Sequence, residues 1–167
     1  PMGWSSWNIF RHNINENVIL DIAKAVKESG LADAGYVEGE NITIDFQNAQ
    51  GEASNCNTIA NKFVNDDVDL MLAIATQSAQ SCANATKDIP IVVTAVTDPK
   101  EAGLVQSNEL PGTNVTGTSD LNPIKEQVKL LQDLVPEAKT VAILYCSSES
   151  NSVLQAELAK AEFAEVG

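Results

Sequence analysis

The stretch DLMLAIATQSAQ, residues 69–80, decides the fold of this chain. Its first half is a continuous apolar run that breaks abruptly into small polar residues after Ala75. An apolar run of this length is typical of a strand that is covered on both faces, as in a parallel sheet. Thr76 and Ser78 belong to the residue types that favour helix N-caps, and the residues that follow to Ala85 suit a short helix. The stretch therefore predicts a strand, a tight turn and a helix.

The turn after this strand is the first candidate for a binding site. In open α/β sheets, ligands bind at the carboxyl ends of the strands, and the free N–H groups of a helix N-terminus favour an anion. The competing interpretation is that Thr76 and Ser78 only cap the helix, which is the commoner role of such residues. The turn by itself leaves both interpretations open.

The rest of the chain repeats this alternation of strands and helices. Apolar or alternating runs predict further strands, and amphipathic spacing with cap residues predicts helices between them. The predicted strands lie at residues 42–46, 89–96, 114–118 and 140–145, with a short strand and a helix before Gly30. This alternation predicts an α/β fold with a three-layer, doubly wound parallel sheet and right-handed crossovers.

The charge of the chain limits its partners. The 167 residues carry 23 acidic and 10 Lys or Arg side chains, which gives a formal net charge of −13. Nucleic acids and anionic membranes would be repelled, and no basic stripe counters this charge. No apolar run reaches membrane-spanning length, and the start at Pro1-Met2 shows no signal-peptide pattern. We therefore expect no nucleic-acid partner and no membrane insertion.

The cysteine and histidine content argues against a metal site. Cys56, Cys82 and Cys146 are an odd number without a CxxC spacing, and His12 has no cysteine nearby. Zinc sites need ligands at short, regular spacing, so we expect no metal and no cofactor. The three cysteines are expected to be small, buried or half-buried residues and not a disulfide framework.

Five segments resemble a known family of binding proteins. They are AGYVEGENITIDFQNAQGE (34–52), DLMLAIATQSAQ (69–80), IPIVVTAVTDPKEAGLV (89–105), GTNVTGTSDLNP (112–123) and TVAILYCSSESNS (140–152). From about Gly35 onward the chain resembles a bacterial ABC-transporter solute-binding protein, of the family that includes tryptophan- and tyrosine-binding lipoproteins with a type I periplasmic-binding fold. The resemblance implies a flavodoxin-like lobe to about Asp120, followed by a crossing helix and the first strand and helix of a second lobe. It also implies an extracytoplasmic location, either periplasmic or lipid-anchored.

The first residues resemble a different family. PMGWSSWNIFRHNINENVI (1–19) is similar to the opening strand and helix of the alpha-galactosidase (melibiase) family, which has a TIM-barrel catalytic domain. In that resemblance Trp7 matches a tryptophan that lines the galactose site, and His12 stands where the family has a cysteine. The Asp-Asp pair that the family carries after its Gly-Tyr step is absent, because Gly35-Tyr36 continues as VEG. Without a placed pair of carboxylates glycoside hydrolysis has no chemistry, so we expect no catalytic residue and no enzyme activity.

The two resemblances together predict a chimera, of natural or laboratory origin. Residues 1–33 would be an alpha-galactosidase-like β-α unit that replaces the first β-α unit of the binding-protein lobe. Residues 34–121 would form the remainder of lobe one, and residues 122–167 the crossing helix plus the first β-α unit of lobe two. We expect these parts to form one compact domain without strong activity of its own.

The alternative function is weak binding of an amino-acid-like solute in the cleft at the carboxyl ends of the strands. One lobe alone rarely buries enough ligand surface for tight binding. Under the resemblance, residues 76–78 would bind a ligand carboxylate, and Asp98 would either hold a ligand amine or cap the turn that follows. The predicted ligand-binding residues are Thr76, Gln77, Ser78, Thr94, Thr97, Asp98, Ser119, Asp120 and Trp7, with Ser147, Ser148 and Asn151 added from the truncated second lobe.

The predicted strand at residues 140–145 raises a separate expectation. It is apolar on both faces, and an exposed strand leaves unpaired backbone groups that attract another strand. We expect it to join the edge of the lobe-one sheet or to pair with a second copy in a homodimer that swaps residues 122–167.

Overall fold

The computed structural model describes residues 34–166 of the chain. Its contacts divide the chain into two compact units, residues 1–48 and residues 49–167. The strand and helix predicted before Gly30 lie outside the described residues, and so does Trp7.

In the first unit, the described residues 34–48 form turns and not a strand. The side chain of Asn41 stabilises one turn with two hydrogen bonds to the backbone, of 2.7 and 2.8 Å. An isolated parallel bridge joins Glu38 to Ile42. The strand predicted at residues 42–46 is therefore wrong. Alternation of apolar residues makes a strand only where a neighbouring strand supplies a ladder, and the described residues supply a single bridge.

The second unit contains three strands and four helices among its described residues. None of its described helices is long and apolar enough to cross a membrane. In chain order the elements are α1 (Ala53–Asn65), β1 (Met71–Ile74), α2 (Thr76–Ala85), β2 (Ile91–Val96), β3 (Val115–Ser119), α3 (Ile124–Leu134) and α4 (Ser150–Val166).

The three strands form a parallel sheet in the order β1-β2-β3. Met71 pairs with Ile91, and Ile91 pairs with Val115, so the three strands begin level with one another. Parallel strands need long crossover connections, and α2 supplies the one between β1 and β2. The predicted α/β fold class with a parallel sheet is confirmed.

The close approach of β2 and β3 requires a glycine at position 117. Gly117 has a φ of +157°, and a Cβ atom built there would lie 2.0 Å from the carbonyl oxygen of Val93. The pairing of the two strands is irregular between Val93 and Val96, where Ala95 adopts a φ of +55°. The irregularity lies at the carboxyl ends of both strands.

The core lies on one face of the sheet, where α1 and α2 cover it. Ala60 of α1 and Ala79 of α2 have no solvent exposure, and they pack in one cluster with the buried strand residues. Small side chains at these positions allow the helices to approach closely. The largest fully buried side chains belong to β2 and β3, and they are Ile91, Val93, Val96 and Val115.

Among residues 34–166, helices cover strand β1 on one face. Met71 and Ala73 are buried, whereas Leu72 and Ile74 are 60% and 53% exposed. Helices α1 and α2 cover one face of the sheet. Coverage of the second face stays a prediction, because the helix predicted for it, before Gly30, lies outside residues 34–166.

The part of the chain after β3 is much less buried. Helix α3 buries Val128 and packs against α4. Residues 140–145 run between the two helices without a ladder partner in the part of the chain that the structure describes, and Leu144 is fully exposed. The prediction of a buried strand here is wrong, and so is the expectation that it joins the edge of the sheet. A strand needs a neighbouring strand edge, and no described residue offers one to this segment.

Candidate functional site

A cleft of about 210 Å³ lies at the carboxyl ends of β1 and β2, inside the second unit. Thr76 follows β1, Thr97 and Asp98 follow β2, and the first turn of α4 completes the wall. The lining residues are Thr76, Thr97, Asp98, Glu101, Ala102, Ser150, Asn151, Val153 and Leu154. The cleft thus combines hydroxyls, carboxylates and an apolar patch.

Helix α2 begins at this cleft without a side-chain cap. Its N-cap residue is Ala75, with φ +77° and ψ +154°, a region that residues other than glycine rarely adopt. The N–H of Ala75 donates to the carbonyl of Thr94 at 3.0 Å, which fixes the end of β1 to β2. No side chain hydrogen-bonds the first turn as a cap, so the interpretation that Thr76 and Ser78 only cap the helix is wrong. The N–H groups of residues 76–78 keep their preference for an anion.

Thr76 is the most enclosed polar residue of the cleft. Its side chain is 4% exposed, and that of Thr97 is 6% exposed. Both threonines line the cleft, so their hydroxyls are available to a polar ligand group.

Asp98 caps the turn that follows β2. Its Oδ1 accepts hydrogen bonds from the backbone N–H groups of Lys100 at 2.9 Å and Glu101 at 3.1 Å, and from Nδ2 of Asn108 at 3.0 Å. Partial desolvation acts to raise the pKa of Asp98, but these three hydrogen bonds and the charge of Lys100 outweigh it and lower the pKa below 3.8. The turn-capping role predicted as one alternative is thus present, and the carboxylate stays ionised at neutral pH.

The structure brings together only part of the predicted binding set. Thr76, Thr97, Asp98 and Asn151 line the cleft. The other predicted residues do not line it, and they are Gln77, Ser78, Thr94, Ser119, Asp120, Ser147 and Ser148.

Three of these other residues have structural contacts instead. The hydroxyl of Ser78 lies 3.9 Å from the sulfur of Cys56, on the side of α2 that faces α1. Ser119 Oγ donates to the carbonyl of Thr97 at 2.6 Å, and the N–H of Asp120 donates to the carbonyl of Val96 at 2.9 Å. The last two contacts join the ends of β2 and β3 beside the cleft.

Helix α4 supplies Ser150, Val153 and Leu154 to the wall, which the sequence did not predict, besides the predicted Asn151. Gln80 of α2 links the elements around the cleft, because its Nε2 donates to the carbonyl of Ala102 at 3.0 Å and to Ser150 Oγ at 3.4 Å. A second link joins Asn122 Nδ2 to Oε1 of Gln155. Val153 and Leu154 follow one turn later and make the apolar patch. Residues three and four positions apart lie on the same face of a helix, so the spacing of Val153 and Leu154 from Ser150 is the signal in the sequence that places them on one side of α4.

The cysteines have structural and not metal-binding surroundings. All three are free thiols, with Cys56 and Cys82 buried between α1 and α2 and Cys146 exposed. Burial raises the pKa of the Cys82 thiol, and nearby Cys56 raises it further. The prediction of buried or half-buried cysteines is wrong for Cys146. Within residues 34–166, no cluster of His, Cys, Asp and Glu side chains suits a metal ion.

This geometry defines a class of protein, a parallel α/β domain with a binding cleft at the carboxyl ends of its strands. The sequence profile of the family described as ABC transporter substrate binding protein matches residues 12–167. The chain belongs to this family. The resemblance to ABC-transporter solute-binding proteins is confirmed, and the match begins inside the segment that resembles alpha-galactosidases.

Two relatives cover most of the chain. A tyrosine-binding protein of Clostridioides difficile (strain R20291) is 51% identical over 150 residues, which make up 90% of this chain and 44% of the relative. The crystal structure of an ABC domain from Streptococcus pneumoniae, in complex with L-Trp, is 43% identical with a TM-score of 0.80 and covers 89% of this chain and 50% of that chain. This chain therefore spans half the length of these relatives or slightly less. The proteins that match most of it are solute-binding proteins and not enzymes.

A short match to enzymes exists as well. Alpha-galactosidase 3 of Arabidopsis thaliana is 61% identical over 36 residues, which make up 22% of this chain and 8% of the relative. A match of this length cannot include a catalytic domain, since a TIM barrel needs about 250 residues.

Proposed function

We propose that the chain binds an amino-acid-like solute weakly in the cleft at the carboxyl ends of β1 and β2. The proposal is carried by one observation: a group that favours an anion and groups that favour a cation line the same cleft. The uncapped N-terminus of α2 favours an anion, and the carboxylates of Asp98 and Glu101 favour a cation. A free amino acid carries both charges on neighbouring atoms. The relatives named for tyrosine binding and solved with L-Trp support the same ligand class.

Each part of the ligand has a matching part of the wall. The carboxylate would lie against the N–H groups of residues 76–78, with the hydroxyl of Thr76 as an additional donor. The ammonium group would face Asp98, whose three hydrogen bonds all use Oδ1. An apolar ligand side chain would contact Val153 and Leu154. We assign no ligand contact to the predicted residues that do not line the cleft.

The affinity should be low. The volume of about 210 Å³ is below the range of about 300–1,000 Å³ that is usual for ligand pockets. A small cleft buries little of the ligand surface, so little favourable free energy remains after the entropy lost on binding. We therefore expect a Kd of about 0.1–1 mM.

Isothermal titration of the whole chain with L-tryptophan and L-tyrosine tests the proposal. Saturable heat is expected for both amino acids and not for tryptamine, which lacks the carboxylate that α2 would bind. Thr76→Val keeps the shape of the side chain and removes its hydroxyl, and should weaken binding by about tenfold to a hundredfold, since a hydrogen bond to a charged group contributes about 1.5–3 kcal/mol.

Thr58→Val is the matched control. Thr58 is an exposed threonine on α1, and its hydroxyl donates to the carbonyl of Ser54 at 2.9 Å, outside the cleft. This variant should bind like the unmodified chain. Absence of saturable heat from a cooperatively folded protein would exclude the proposal, and equal binding of tryptamine and L-tryptophan would exclude the role of α2.

We infer further that residues 1–33 have a separate origin, as a segment of an alpha-galactosidase joined to a solute-binding lobe. The short, high identity to Alpha-galactosidase 3 supports this chimera. The family's extracytoplasmic location is proposed for the binding-protein part. Amplification of one uninterrupted coding sequence across residues 33 and 34 from genomic DNA would support a natural fusion, and separate genes for the two parts would support a laboratory join.

A further inference from the structure

Ala95 has a backbone conformation that is unusual inside a strand. It belongs to β2, yet its φ is +55°, in the left-handed region that residues other than glycine rarely adopt. The other described residues with a side chain and a positive φ are Gln50 and Asp67, which lie in turns, and Ala75, which follows β1. A conformation of this kind persists only where the surrounding structure holds it.

Hydrogen bonds to both neighbouring strands fix the residues on either side of Ala95. On one side, the carbonyl of Thr94 accepts from the N–H of Ala75 at 3.0 Å. On the other side, the carbonyl of Val96 accepts from the N–H of Asp120, which follows β3, at 2.9 Å. Because Ala95 lies between two fixed carbonyls, the sheet maintains its left-handed conformation.

Ala95 also lies in a β-bulge of β2. Val93 pairs with Gly117, and Val96 pairs with Ser119. Three steps along β2 therefore match two steps along β3, which leaves one extra residue in β2. The alternation of β2 shifts at this point, since Val93 and Val96 are both buried although they are three positions apart. Bulges redirect the side chains that follow them and are common beside functional sites.

The shift in alternation affects where Thr97 lies. In an uninterrupted strand Thr97 would lie on the same face as Val93, which is part of the core. In the bulged strand Val96 occupies the core, and Thr97 lines the cleft beside Asp98. Ser119 Oγ donates to the carbonyl of Thr97 at 2.6 Å, which fixes the backbone of Thr97 in this position.

We propose that Ala95 is a positioning residue for ligand binding, and that its left-handed conformation directs Thr97 into the cleft. This role rests on the proposed function, because the hydroxyl of Thr97 would contact the bound amino acid. Ala95 itself does not line the cleft, so it acts through Thr97 and not by touching the ligand. A hydroxyl that the sheet places before binding loses less entropy when the ligand binds.

Substitutions at position 95 test this role by NMR titration of the whole chain with L-tryptophan. Ala95→Val should weaken binding by about tenfold, because a β-branched residue disfavours a positive φ and its side chain suits the core position of a regular strand. Ala95→Asn should bind like the unmodified chain, because asparagine tolerates the left-handed region. A strong NOE between the amide and Hα protons of residue 95, typical of a positive φ, should be lost only in Ala95→Val.

A double-mutant cycle separates positioning from a general loss of stability. Thr97→Val alone should also weaken binding by about tenfold, because it removes the hydroxyl. The double variant Ala95→Val/Thr97→Val should bind no more weakly than either single variant, since both changes remove the same contact. Losses that multiply in the double variant would overturn the proposal.

Gln50→Val is the matched control, because Gln50 is exposed, has the same φ of +55° and lies outside the cleft. It should lose stability through backbone strain and bind like the unmodified chain. Ser119→Ala tests the same placement without a change at Ala95, and is expected to fold because Ser119 is exposed. It removes the hydrogen bond to the carbonyl of Thr97 and should weaken binding, whereas Ser119→Thr should keep it. Unchanged binding in Ala95→Val or in Ser119→Ala would overturn the positioning role alone, and absence of saturable binding from the folded unmodified chain would overturn the proposed function together with it.

Discussion

Two uncharged six-residue runs of this chain have opposite environments. Residues 91–96, IVVTAV, form β2, and Ile91 within them has no solvent exposure. Residues 140–145, TVAILY, are also apolar and contain three β-branched residues against five in the first run, and Ile143 is 43% exposed. The first run lies between two parallel strands, whereas the second has no ladder partner among the described residues.

The difference shows that local composition determines the tendency to form a strand and not its burial. Strand propensity largely measures how well a side chain packs on a pleated surface with neighbours. Strand β2 has β1 on one side, β3 on the other and α2 against one face. The stability of the second unit should therefore depend strongly on residues of the sheet and weakly on residues after β3.

The largest expected effect is the loss of the close contact between β2 and β3. Gly117→Ala places a Cβ atom 2.0 Å from the carbonyl oxygen of Val93, so the strands must separate. The combined cost of this overlap and of the backbone conformation should lower the free energy of unfolding by about 4 kcal/mol. Urea unfolding monitored by circular dichroism measures the change.

Gly103→Ala separates the two parts of that cost. Gly103 also has a positive φ, +72°, but an added Cβ atom would have no neighbour within 4 Å. Its loss of stability should be about 1 kcal/mol, from backbone strain alone. Equal effects at the two glycines would show that the close approach of β2 and β3 is absent in solution.

A direct comparison of the two runs uses the same substitution in each. Ile91→Ala removes a fully buried side chain and should lower the free energy of unfolding by about 3 kcal/mol, because it leaves a cavity in the core. Ile143→Ala should change the free energy of unfolding by less than about 0.5 kcal/mol when measured at low micromolar concentration. A loss above about 2 kcal/mol for Ile143→Ala under those conditions would mean that residues 140–145 are packed within one chain.

The sequence was sufficient for the sheet but not for the region after it. The runs that form β1 and β2 are apolar, uncharged and followed by turn or helix residues, and these local signals predicted a parallel α/β sheet. The alternation at residues 42–46 and the apolar run at 140–145 carry equally good local signals. Both predictions failed because a strand also needs a neighbouring strand, and these local signals do not show whether one is present.

The candidate site shows the same limit. Thr76, Thr97 and Asp98 were predictable because they directly follow the strands that place them. The contribution of Val153 and Leu154 depends on how α4 packs, which only the tertiary contacts define. The sequence left the cap of α2 open, and the N-cap is Ala75, whose N–H donates to β2 and whose residue type does not favour caps.

A further small effect is expected at the turn beside the cleft. The folded state lowers the pKa of Asp98 below 3.8, so its ionised form stabilises the fold at higher pH, and this contribution is lost as the pH falls through the folded-state pKa. Asp98→Asn keeps an oxygen acceptor for the turn and removes the charge. It should lower stability at pH 7 by less than about 1 kcal/mol, since the group is largely solvated.

Unfolding measured from pH 7 down to acid conditions checks this expectation. The difference between Asp98→Asn and the unmodified chain should shrink as the pH falls below about 4, where the unmodified carboxyl also becomes neutral. Asp133→Asn, at an exposed aspartate of α3, controls for the general effect of one charge less on a chain of net charge −13. If both variants showed the same pH profile, the hydrogen bonds to Asp98 would not be stabilising its charge. The turn would then contribute as little to the free energy of unfolding as the residues after β3.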